Sequence, residues 1–336
     1  MKKIDGLLKI VLMVVFGSCV LWAQPNNRRF KNAAGKYGVI DDNFQIILPA
    51  KYFGTEELSE GIINIQTARD EWALIDQNGK EFCKVKAFLL DKVIDGWARV
   101  AVNSNCFHFI NIAGKTIYEN ACYCSEFSDG KAYVSLDDKI GFFINKNGEK
   151  ISRDLPYRRA YHGGNGSWIV CSGVNSGIIN SNYEEIVPPR KGDIYYAGEG
   201  YFVTMDPEDT TECFFLDSNG KKLSSVRFKS SSQVYDGIAF LKMPDRKGEY
   251  IYDLKKDKLT GPLENFERMN KMSKNVVSIS KIDGKWKYIL VNRKNEQICP
   301  LCFDEFNDEQ NNIMWFEKDG KSYYVNSKGM YWSPDK

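Results

Sequence analysis

Histidine is nearly absent from this chain: only His108 and His162 occur among its 336 residues, so histidine chemistry has two candidate positions. A charge of one sign is missing too. The 46 basic and 44 acidic residues leave a net charge of +2, and no basic stripe stands out, which excludes the footprint of a nucleic-acid binder. No stretch sustains an apolar period of about 3.6 residues over roughly 11 positions, which argues against helices. Beyond the N-terminus no segment is apolar enough to cross a membrane, which takes roughly 20 predominantly apolar residues. The stretch Gly163-Gly164-Asn165-Gly166-Ser167 lacks the Gly-Lys-Ser/Thr ending of a phosphate loop. Cys299-Pro300-Leu301-Cys302 has neither a second Cys-x-x-Cys nor βαβ surroundings. The acidic run Met205 to Thr210 lacks the ligand spacing of a calcium loop. No catalytic residue, cofactor or metal site is therefore assigned.

What is present is a beat. A hydrophobic residue followed by Asp or Asn recurs at Ile40-Asp41, Ile75-Asp76, Ile110-Asn111, Ile144-Asn145, Ile179-Asn180, Leu216-Asp217, Tyr252-Asp253, Val291-Asn292 and Val325-Asn326, in steps of 34 to 39 residues. A period this regular is the signature of a repeat architecture. Such an array escapes the size limit of a single core, because its core grows by one neighbour at a time.

The N-terminus precedes the repeats. A basic start, Met1-Lys2-Lys3, leads into the apolar run Ile10 to Phe16 and Val20-Leu21-Trp22. Ala23 then precedes the polar Gln24-Pro25-Asn26-Asn27. This pattern reads as a secretory signal peptide over residues 1–23, cleaved after Ala23. Two other outcomes stay open: an uncleaved anchor, and lipidation at Cys19 in the lipobox-like Phe16-Gly17-Ser18-Cys19. The chain is thus expected to be exported, whether periplasmic, cell-surface or secreted. Eight cysteines remain past Cys19. They permit disulfides in an exported protein, but their spacing selects no pairing.

Each repeat reads as three short strands. In the first, Lys36 to Asp41 is β-rich, Asp42-Asn43 turns the chain, Phe44 to Leu48 forms a second run ended by Pro49, and Ser59-Glu60-Gly61 leads into Ile62 to Ile65. A turn glycine follows the beat by three residues at Gly79, Gly114, Gly148, Gly220 and Gly329. A second glycine recurs at Gly61, Gly96, Gly130, Gly166, Gly200 and Gly237, with Asn275 and Asn312 standing in its place later. Cys299-Pro300 occupies the slot of Leu48-Pro49 and Val187-Pro188, so Cys299 reads as a core residue. His108 occupies the slot of Gly38 and Ala73. The chain is therefore expected to be all-β.

The unit Tyr37-Gly38-Val39-Ile40-Asp41, then Ile47-Leu48-Pro49, then Ser59-Glu60-Gly61-Ile62 resembles the bacterial WG repeat. Tyr37-Gly38 and Trp72-Ala73 stand closest to the Trp-Gly pair; Phe107-His108, Ser176-Gly177, Cys213-Phe214 and Glu249-Tyr250 depart further. The resemblance covers nearly the whole mature chain and implies a β-rich repeat fold, propeller-like, with no shared catalytic residues. The expectation is an N-terminal extension at 24–35, then one array over 36–332. That array holds about eight β-meander repeats of ~35 residues in a propeller-like ring, with a partial last unit completing the first sheet; an open β-solenoid is the alternative.

Function is sought where the beat is broken. Arg158, Arg159, Tyr161 and His162 lie in a glycine-rich loop whose residue types suit partner binding. A second broken stretch runs from Asp206 to Thr211. The leading expectation is a non-enzymatic binding or scaffold protein of the cell envelope with a protein, peptide or glycan partner. An envelope glycan-acting enzyme using a propeller face and a purely structural envelope component are the alternatives.

Overall fold

The computed structural model describes residues 27–206, 209, 211–223, 225–262, 276–292 and 296–335. The proposed signal peptide, Cys19 and Asn275 lie outside the described residues. Every regular element among the described residues is a β-strand. The strands form nine antiparallel sheets in chain order, five of four strands and four of three. These are blades 1 (27–52), 2 (54–86), 3 (89–121), 4 (123–145), 5 (159–191), 6 (194–216), 7 (230–260), 8 (276–303) and 9 (305–332). Blade 2 sets the pattern: a two-residue strand a (Gly54–Thr55), then b (Ile62–Ala68), c (Glu71–Asp76) and d (Glu81–Lys86), each paired with the next.

The beat is the end of strand c. Its hydrophobic residue is buried in all nine blades, none more than 4% exposed. Its Asp or Asn caps the following turn: in every blade the side-chain oxygen accepts one or two backbone amides of its own c–d connection. Asp76 Oδ1, for example, accepts Asn78 and Lys80 N–H at 2.8 Å each. These are Asx turns, in which a short polar side chain replaces a backbone acceptor. The a–b turn carries positive φ at two consecutive residues, as in Glu60-Gly61 (52° and 79°), which is the geometry of a tight hairpin turn. At blade 9 the same turn is Asn311-Asn312, with φ of 50° and 62°, so asparagine does replace the glycine there.

The Pro slot holds as well. Strands Ile46–Tyr52, Glu185–Lys191 and Gln297–Phe303 begin with one burial pattern, which puts Leu48, Val187 and Cys299 in the core and the next proline outside. Gly38 and Gly177 face this strand so closely that a Cβ would lie 2.4 Å from Leu48 O and 2.6 Å from Val187 O. In blade 3 His108 fills that position. The facing strand there breaks register and takes positive φ at Tyr118 and Asn120.

The ring closes. Phe30 and Ile40 of blade 1 pack with Ile313 and Tyr324 of blade 9. Arg28 Nη1 donates to Ile313 O at 2.6 Å, Asn311 Nδ2 to Asn27 O at 2.7 Å, and Asn326 Nδ2 to Asp42 O at 2.8 Å. The chain is a nine-bladed β-propeller, not an open solenoid.

Three expectations are corrected. The ninth beat belongs to a complete four-stranded blade of its own, so the sheets number nine rather than about eight. Closure is face-to-face packing of blades 9 and 1, not one sheet shared between the chain ends, because blade 1 supplies its own b strand, Asn27–Lys31. That strand lies in the segment read as an N-terminal extension. The sequence unit is also out of phase with the blade: the strand closing one unit, Ile62–Ala68, pairs with the strand opening the next, Glu71–Asp76.

Candidate functional site

Antiparallel order puts the a–b and c–d turns at one end of the ring and the b–c hairpins and d–a connections at the other. The a–b turns of successive blades touch. Glu60 accepts the amides of Asp95 and Gly96, Asp95 accepts that of Gly130, and Glu199 accepts those of Asp236 and Gly237, all at 2.6–3.0 Å. Turn-to-turn reach of this kind sets strand a on the inner rim, where blades converge around the channel. At blade 5 the series changes: Asp129 Oδ2 meets His162 Nε2 at 2.8 Å instead.

Beside that exception lies a groove of about 600 Å³ between blades 5 and 6. It brings together all four partner-binding residues named from the sequence: Arg158, Arg159, Tyr161 and His162. Three of them are not on a loop, and Arg158 sits in the bend just before their strand. Arg159–His162 is strand a of blade 5, paired residue for residue with Trp168–Cys171 of strand b. Strand alternation puts Arg159 and Tyr161 on one face, opposite Cys171 and Ile169, which also line the groove, while Ala160 between them is fully buried. The loop proper is the turn Gly163–Ser167, closed by Gly163 N–H to Ser167 O at 2.8 Å. Its glycines have a packing cause. A Cβ on Gly163 would meet the Phe202 ring at 2.9 Å, and one on Gly164 the Tyr196 ring at 2.3 Å, so only bare backbone lets blade 6 close up.

The four residues are not equally engaged. Arg158 is bridged to Asp138. His162 is held by Asp129 and edge-on to Trp168, with centroids 5.5 Å apart. Arg159 makes no ion pair among the described residues: its guanidinium lies 5.6 Å above the Tyr123 ring and its buried Nε has no hydrogen-bond partner. The Tyr161 hydroxyl beside it, with Tyr123 and Asp138, holds Arg159 more firmly charged than usual against partial burial. Tyr161 is 43% exposed.

Blade 6 builds the facing wall from residues that the sequence did not single out. Tyr195 is 52% exposed and donates its hydroxyl to Asp193 Oδ2 at 3.0 Å, and Tyr196 lies beside them. The signal that could have found them is the period itself, since Ile194–Gly198 is the strand one repeat after Arg159–His162. At the groove's mouth the b–c hairpin of blade 5 exposes Val174 (76%). The second broken stretch offers less: Asp206 is buried and paired with Arg227 at 2.5 Å, Asp209 Oδ1 caps Thr211, and residues 207, 208 and 210 lie outside the described residues.

Elsewhere the described residues hold no group of three metal-ligating side chains, and no helix long and apolar enough to cross a membrane. Cys299 lies in the blade 8–9 core with its thiol pushed up by burial. His108 is half-buried, and burial holds its imidazole below the usual range.

No family model matches this chain, and no curated protein matches it in sequence. Many solved structures share its fold. A crystal structure described as the eukaryotic initiation factor matches with 9% identity over 92% of this chain and 96% of that one, at a TM-score of 0.61. Dihydro-heme d1 dehydrogenase NirN in complex with DHE matches with 9% identity over 93% and 78% of the two chains, at a TM-score of 0.48. BamB from Moraxella catarrhalis matches with 10% identity over 91% and 96%, at a TM-score of 0.43. At such identities the likeness is one of fold alone.

Proposed function

We propose that this protein is an exported, non-enzymatic binding or scaffold protein of the cell envelope, a divergent WG-type repeat array whose partner sits in the groove between blades 5 and 6. One observation carries the reading. Arg159, Tyr161 and Tyr195 converge on a single open groove; Arg159 and Tyr161 rest on Tyr123 of the preceding blade, and Tyr161 and Tyr195 keep about half of their surface open. Arginine and tyrosine are the residue types that dominate binding hot spots. The export reading of residues 1–23 supplies the location. The test is a photo-crosslinking amino acid placed at Tyr161 or Tyr195, with Ile112, exposed on a c–d turn at the other end of the ring, as control. Discrete crosslinked species from the groove positions and none from Ile112 are expected. Equal crosslinking from all three positions would sink the groove.

A second reading, an enzyme acting on envelope glycans, is favoured by Glu56. Burial and the neighbouring Glu57 and Asp91 push its carboxyl up to about 7, against the pull of Arg29, so a share of it stays protonated near neutral pH, as a general acid requires. Release of reducing ends from envelope glycans by the native protein, abolished in Glu56→Gln, would establish that reading; no release would remove it.

A further inference from the structure

We infer that the groove between blades 5 and 6 binds a carboxylate-bearing oligosaccharide, with Arg159 taking the carboxylate and Tyr161 and Tyr195 forming the platforms for the sugar rings. The inference rests on the groove being the partner site and specifies the chemistry of the partner.

Charge decides the first half. The groove holds two arginines, but Arg158 is already committed to Asp138. Arg159 has no carboxylate within ion-pair distance among the described residues; its Nε–H is buried out of a ligand's reach and the Tyr161 hydroxyl lies beside it, so a ligand carboxylate is taken by the terminal amino groups. A guanidinium is a planar fork matched to a carboxylate, and it stays charged at any working pH. Its stacking on Tyr123 fixes the plane of that fork. The groove's own acid, Asp193, stands on the opposite wall with the Tyr195 hydroxyl bound to it, leaving its remaining lone pairs to accept from ligand hydroxyls.

Shape decides the second half. Tyr161 and Tyr195 come from the two walls, one on each, and both keep about half of their surface open. A volume of about 600 Å³ is that of a small-ligand site. Ile169 and Ile194, the aliphatic residues of the lining, are themselves buried at 5% exposure each, so they give no hollow in which the apolar anchor of a peptide could bury itself. Flat aromatic faces with polar groups at their edges suit pyranose rings, which present C–H on one face and hydroxyls around the rim.

The test is titration calorimetry of the mature protein with tetragalacturonate, cellotetraose and tetraglutamate as acidic-sugar, neutral-sugar and acidic-peptide probes. Tetragalacturonate is expected to bind and to weaken with salt, with cellotetraose at least roughly tenfold weaker, the worth of one charge-assisted hydrogen-bond pair. Arg159→Gln should abolish that preference and Arg159→Lys restore part of it, while Tyr161→Ala weakens both sugars. Unchanged far-ultraviolet circular dichroism in each variant shows that the fold survives. Equal binding of cellotetraose, tighter binding of tetraglutamate, or no binding of any probe overturns the inference. Crosslinking from Tyr161 that persists in any of those cases leaves the groove as a partner site and removes only the sugar chemistry.

Discussion

The Glu60 carboxylate accepts the backbone amides of Asp95 and Gly96 at 2.7 and 2.9 Å, joining the a–b turn of blade 2 to that of blade 3. Glu199 does the same one half-ring away, to Asp236 and Gly237 at 2.6 and 2.9 Å. The bond pattern uses the turn twice: positive φ exposes the amides of one turn, and the carboxylate of the preceding turn takes them. Glu60→Ala removes a two-pronged, charge-assisted contact at an exposed place. A loss of about 1 kcal/mol is expected in urea unfolding, with Glu60→Gln intermediate. No loss in either variant would make the contact ornamental.

Ring closure is the larger energetic link. Tyr324 is 1% exposed, accepts the Lys31 amide on its hydroxyl at 3.0 Å and lies beneath the Arg28 guanidinium at 5.4 Å. Tyr324→Ala should cost about 3–5 kcal/mol, as large aromatic truncations in cores do. Tyr324→Phe should cost only about 1 kcal/mol, leaving one amide short of its acceptor. Limited proteolysis of Tyr324→Ala should cut first near Asn27–Lys31, the strand that Tyr324 pins. First cuts elsewhere would show that the seam is not the weak point.

Glu56 makes stability depend on pH in a stated direction. Its carboxyl titrates near 7 in the folded protein against about 4.5 in the unfolded chain. Between those values the folded state holds the extra proton, so this group's contribution falls as pH rises from about 4.5 to 7 and is flat above. Glu56→Gln should therefore remove a pH-dependent loss of at most about 3 kcal/mol. The check is the difference between native and variant unfolding free energies across that window. A constant difference would refute the assignment.

The Cys299–Cys302 pair should behave as two unrelated thiols. Cys299 is fully buried in the core and burial raises its pKa. Under native conditions a maleimide is expected to label Cys302, which is partly exposed, and to spare Cys299 until denaturant is added. Cys299→Val should stay within about 1.5 kcal/mol of the native protein, whereas Cys299→Ser should cost more, because a hydroxyl without an acceptor is then buried. Rapid labelling of both thiols would reopen a redox role.

Parts of this molecule were legible because their causes are local. The hydrophobic member of the beat packs and the polar member caps its own turn, both within a few residues, so Asp76 and its eight counterparts announce themselves. Cys299 could be read as core because Leu48 and Val187 repeat its slot. Arg158, Arg159, Tyr161 and His162 stood out by their composition, and the groove does gather them. The strand Arg159–His162 was missed because Gly163 and Gly164, which look like loop residues, are there to admit Tyr196 and Phe202 from the next blade.

The sequence by itself determined the repeat, its turns and its all-β character, because period and capping act over one unit. Only the tertiary structure decided the phase of the sheets, the count of nine, the closed ring and the second wall of the groove. Strand Ile62–Ala68 shares a sheet with Glu71–Asp76 of the next unit and not with Ile46–Tyr52 of its own, Arg28 reaches Ile313 across 285 residues, and Tyr195 and Tyr161 line one groove from two different sheets. Each depends on how neighbouring blades twist and approach, a long-range geometry on which hydrophobic spacing along the chain carries no information.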